Sequence, residues 1–113
     1  MEQVKIRVYT ILNKKEEIND FLAIKDNDVI KYIDLEDNKM IIDMKNNVLL
    51  RENEDYLFDF DFNKNIIEIT LKKIRKSFNK EICTITAKYT KKSYLVRYQL
   101  LDEQDVNEYY VKF

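Results

Sequence analysis

Apolar residues recur at every second position in segment after segment of this chain, and the breaks between segments are too short to hold a helix. VKIRV (4–8) puts Val4, Ile6 and Val8 on one side and Lys5 and Arg7 on the other, the mark of a half-buried strand. The same alternation runs through 29–35, 40–45, 48–52, 56–62, 66–74, 82–90, 93–101 and 106–113. Between them lie DND, EDNK, NN, NKN, KK and DEQD, which fit hairpin loops of about two to five residues. Successive short strands joined by tight turns build an antiparallel meander, and a long meander hides its edges by curling shut. The expectation is a single all-β domain over residues 1–113, an antiparallel up-and-down barrel of eight to ten strands.

Two stretches escape the pattern. EEINDFLAI (16–24) spaces Ile18, Phe21 and Leu22 as a helix would, behind a charged first turn, so helix and strand both fit it. KKIRKSFNK (72–80) fits either a continuation of the preceding strand or a turn.

Absent residues restrict the chemistry. The 113 residues contain no Gly, no Pro and no His, with a single cysteine, Cys83. Without glycine, phosphate-cradling loops and dinucleotide fingerprints fail, and turns must be made from Asn, Asp and Lys. Without histidine there is no Ser-His or Cys-His dyad to activate Ser77 or Ser93, and the commonest metal ligand is missing. Carboxylates are plentiful, yet none stand out from the strand-face pattern as a catalytic pair. Enzymatic activity and a cofactor are not expected. One cysteine excludes an intramolecular disulfide. Cys83 alternates with Ile85, Ala87 and Tyr89, which predicts a buried, inert thiol. The N-terminus has no signal-peptide pattern and no apolar run is long enough to span a bilayer as a helix, so a cytoplasmic protein is expected. The richness in Lys, Asn and Ile suggests an AT-rich bacterial genome.

KDNDVIKYIDLED, NKMIIDMK and NNVLLREN, with the opening VKIRVYTIL and the terminal SYLVRYQLLDEQDVNEYYVKF, resemble the YwiB-like family of small bacterial proteins. The resemblance implies a calycin-like barrel, akin in shape to lipocalins, and no activity. This chain lacks the glycines that family's turns would carry.

The stretch DYLFDFDFN (55–63) poses the functional question. Asp59, Asp61, Asn63 and Asn65 imitate the first half of a calcium loop, but Lys64 and Thr70 stand where such a loop needs Gly and Glu, so no metal is expected. Tyr56, Phe58, Phe60 and Phe62 share the other face, where they either pack as plain core or wall a cavity for an apolar ligand. Tyr94 and Tyr98 are further wall candidates. Arg97 enters the barrel, as an anchor for a ligand carboxylate, only if the strand register opposes Tyr94, Val96 and Tyr98. From Lys64 to Arg97 the chain carries ten Lys and Arg against two Glu, with Phe78, Tyr89 and Tyr94 among them. Such a mixture can contact single-stranded nucleic acid, although the acidic pI of 5.6 argues against a dedicated binder. The leading expectation is non-catalytic binding of a small apolar or amphipathic molecule inside the barrel. The rival is a protein-interaction module with a solid core.

Overall fold

The computed structural model describes all 113 residues and contains ten strands and no helix. In chain order these are β1 (Glu2–Leu12), β2 (Lys15–Asp26), β3 (Val29–Ile33), β4 (Lys39–Asp43), β5 (Val48–Glu52), β6 (Tyr56–Asp61), β7 (Ile66–Leu71), β8 (Lys76–Tyr89), β9 (Ser93–Leu100) and β10 (Val106–Lys112). Each pairs antiparallel with the next, and β10 pairs back onto β1, so the meander is a closed up-and-down barrel. The turns after β1, β3, β5, β7 and β9 form one end, called here the upper end. The other four turns and both termini form the lower end.

Residues 15–26 are strand, which settles the ambiguity over 16–24. β1 offers a long template and pairs with β2 from Glu2↔Lys25 to Leu12↔Lys15. Backbone pairing along that whole length outweighs a helical spacing of three side chains, a tertiary override of local preference. Residues 72–75 are a turn and β8 begins at Lys76, so the strand expected at 82–90 starts earlier.

The turns are built without glycine. Asn13, Asn27, Asp37, Asn47 and Asn65 take positive φ, as do Lys14 and Arg75. Asn and Asp tolerate that conformation because their short polar side chains bond locally. Asp34 Oδ1 accepts the N–H groups of Glu36 and Asn38, each at 2.9 Å, and Asp61 Oδ1 accepts those of Asn63 and Lys64.

Packing is concentrated in the lower half. Ile6, Ile30, Ile42, Met44, Phe62, Tyr94, Val96 and Val111 come from five strands and the turns after β4 and β6, and none is more than 3% exposed. Burying each aliphatic or aromatic side chain of this kind stabilises the fold by roughly 1.5–3 kcal/mol. Thr84 Oγ1 donates to the Phe62 carbonyl at 2.9 Å and tethers β8 across the floor.

Two departures from even closure matter. β2 and β3 pair only over Ile24–Asp26 with Val29–Lys31, so Lys15–Ala23 is bonded on the β1 side alone. The first part of β8, Lys76–Glu81, pairs only with β7 and projects past the end of β9.

Asn13 and Lys14 both have positive φ in a two-residue hairpin, where Asn-Gly is the favoured pair. Lys14→Gly should therefore raise unfolding free energy by about 0.5–1 kcal/mol in urea titration. A lowered midpoint would show that the turn geometry is not strained.

Candidate functional site

Above the packed floor the barrel is hollow. A cavity of about 450 Å³ opens at the upper end, on the side where β2 and β3 part. Its apolar walls include Val8, Phe21, Met40, Leu49, Phe60 and the rings of Tyr32, Tyr98 and Tyr109. Its mouth is polar: Lys15, Glu17 and Asn19 from β2, and Asp34 and Glu36 from the β3–β4 turn. Ligand pockets commonly hold about 300–1,000 Å³, mostly apolar, with a few placed polar groups, and this cavity has that character.

The mouth follows from the sequence of β2. Its inward positions Lys15, Glu17 and Asn19 are polar, while Ile18 and Leu22 on the outside are 64% and 59% exposed. Polar side chains in the interior keep the upper half wet and give β3 nothing apolar to close upon.

The candidate residues divide into groups. Phe60 and Tyr98 line the cavity, with ring centroids 5.7 Å apart in an edge-on arrangement. Phe62 and Tyr94 belong to the floor, where the Tyr94 hydroxyl donates to Asn47 Oδ1 at 3.0 Å. Phe58 packs between Tyr56 and Phe60, at 4.6 and 6.4 Å between centroids. The Tyr56 hydroxyl donates to Asn38 Oδ1, which also receives Asn53 Nδ2, so Tyr56 ties two upper turns together. Arg97 is corrected: Tyr94, Val96 and Tyr98 take the inner face, so Arg97 points outward and its Nε donates to Glu108 Oε1 at 2.5 Å. Cys83 is corrected as well. It is exposed, because Ile82 takes the buried position and the neighbouring residue must face out.

The arginine that enters is Arg51. It lies in phase with buried Leu49 on β5, opposite Met40 and Phe58. Its Nη2 donates to Glu36 Oε2 at 3.2 Å, but its Nε is buried with no hydrogen-bond partner. The signal was present in VLLRE, where Arg51 shares a face with Leu49, but a charged residue in an alternating strand reads first as solvent-facing. Tyr32, Tyr109 and Phe21 were also missed. The hydroxyls of Tyr32 and Tyr109 are hydrogen-bonded inside the barrel, and Phe21 packs against Tyr32 in a tilted arrangement with centroids 4.8 Å apart.

Outside the cavity, several charges are paired between neighbouring segments. Lys72 meets Glu52 at 2.7 Å and Lys73 meets Asp55 at 3.0 Å, so part of the basic segment is drawn onto acidic neighbours. Asp59 lies on the outer face opposite Glu68, and burial with that like charge raises its pKa. No family model, no curated protein and no solved structure matches this chain.

Burial pushes the phenol pKa of Tyr98 up to about 12 and those of Tyr32, Tyr94 and Tyr109 higher still. These groups hold their protons more tightly folded than unfolded. Their contribution to stability is therefore complete below the ordinary tyrosine pKa of about 10 and is lost as pH rises above it. An absorbance titration should show these four of the eight tyrosines ionising only as the barrel unfolds. All eight titrating near pH 10 with the fold intact would contradict this environment.

Proposed function

We propose that this protein is a non-catalytic carrier or sensor that binds a small apolar or amphipathic molecule inside a calycin-like barrel. The observation that carries the reading is the division of the interior, a packed floor beneath a cavity of about 450 Å³. A core built only for stability would fill that volume, since empty apolar space forfeits dispersion contacts and costs stability. The walls offer Phe21, Phe60, Leu49 and Tyr98 to an apolar body, and the polar mouth suits a head group. Non-identical use of the two ends also supports it: the exposed turn residues at the lower end are polar, whereas Leu12, Leu35, Ile74 and Leu101 are exposed at the upper end.

The interaction-module reading asked for a solid interior, and the cavity counts against that form of it. Nothing in the site's make-up favours catalysis. The YwiB-like resemblance belongs to the same proposal, with the sequential closed meander as its support.

Nile red, an uncharged apolar fluorophore, should bind one equivalent with micromolar affinity and enhanced emission. Thr10→Phe, which puts a ring into the cavity from β1, should weaken binding at least tenfold while melting near wild type. Absence of binding by the folded wild type, or binding untouched by Thr10→Phe, would refute the interior site.

A further inference from the structure

Five charged side chains line the cavity: Lys15 and Arg51 against Glu17, Asp34 and Glu36. Both cations are already matched. Lys15 Nζ lies 3.1 Å from Glu17 Oε1, and Arg51 Nη2 lies 3.2 Å from Glu36 Oε2 with Asp34 Oδ2 3.8 Å from its Nε. Asp34 is itself occupied, because its two oxygens take the Asn38 side-chain amide at 3.2 and 3.1 Å besides two backbone N–H groups. The cavity therefore has no cation in surplus for an anionic guest.

What it does have in surplus is donors. Arg51 Nε–H is buried without an acceptor, which is unfavourable. The Tyr32 and Tyr109 hydroxyls hold two protons, and their mutual bond uses one, leaving the other to be given elsewhere. The Tyr98 hydroxyl lines the cavity and makes no hydrogen bond within the protein. Arg51 and all three tyrosines line this one cavity, so the donors gather in one region. The phenols remain protonated at neutral pH, so each keeps a proton to donate, and arginine only donates.

We propose that the guest in this cavity has an apolar body and an uncharged oxygen acceptor as its head, a ketone, ester or ether, and that it is not a carboxylate. The inference rests on reading the cavity as a ligand site. A neutral oxygen satisfies Arg51 and a tyrosine hydroxyl without displacing Glu36 or adding a negative charge beside Asp34 and Glu17. A carboxylate must leave water and sit among three carboxylates whose charges already match both cations, which opposes its binding.

The test compares two guests of equal carbon count, methyl octyl ketone and decanoate, by calorimetric titration of the wild-type protein at pH 7. The ketone should bind about tenfold or more tightly than decanoate. Decanoate binding equally or better, alongside retained Nile red binding, would overturn the head-group assignment and leave the cavity reading standing. Failure of both guests and of Nile red would overturn both. Arg51→Met keeps the apolar stem and removes the donors. It should cut ketone affinity about tenfold and narrow the difference between guests, and Tyr98→Phe serves the same purpose should the arginine variant not fold. Full retention of ketone affinity in both variants would contradict the donor role.

Discussion

Pairing of β10 with β1 is the interaction on which the rest of this structure depends. It joins the two ends of the chain, from Arg7↔Lys112 to Ile11↔Glu108, and turns a ten-strand meander into a tube. A flat meander would leave two long edges with unpaired backbone groups. Closure removes those ends as edges and creates an inside, and each strand's alternation then decides what that inside contains. β1 carries this load by pairing on both flanks, with β2 along its length and with β10 over its second half.

The interior is not uniform because the inward positions are not. In the lower half they are Ile, Val, Met, Phe and Tyr, and they pack together almost fully buried. In the upper half β2 supplies Lys15, Glu17 and Asn19, and β5 supplies Arg51. Those side chains cannot be packed dry without partners. The upper half accordingly stays open, and β2 separates from β3 beyond Ile24. The cavity thus arises from reversed polarity along one strand, with stability concentrated in the floor.

Much of the fold was legible because a period of two leaves few alternatives when the breaks are short and polar. The register of β9 stayed open, because YLVRYQ carries apolar residues on both faces, Leu95 on one and Tyr94, Val96 and Tyr98 on the other. β2 was not, because its polarity is inverted: Ile18 and Leu22 lie outside, and the apolar residues mimic a helical face. Cys83 was placed on the wrong face because ICTITA alternates plausibly in both phases, and only pairing with β9 and the bulge between Thr84 and Thr86 fix which is buried. The aromatic run in β6 was recognised as inward, but it spans both halves. Only Phe60 of its four rings reaches the cavity, and sequence alone carries no measure of height along the barrel axis. The Tyr32–Tyr109 pair joins strands far apart in sequence, which no local pattern records, whereas Arg51 was in phase with Leu49 but read first as solvent-facing.

The central claim, a packed floor beneath a ligand cavity, is tested most directly by mapping where an apolar guest perturbs side-chain NMR resonances. Titration with methyl octyl ketone should shift the signals of Val8, Leu49, Phe60 and Tyr98 and leave those of Ile30, Ile42 and Val111 in place. Shifts spread evenly through both sets, or confined to the exposed side chains of the upper rim, would contradict it.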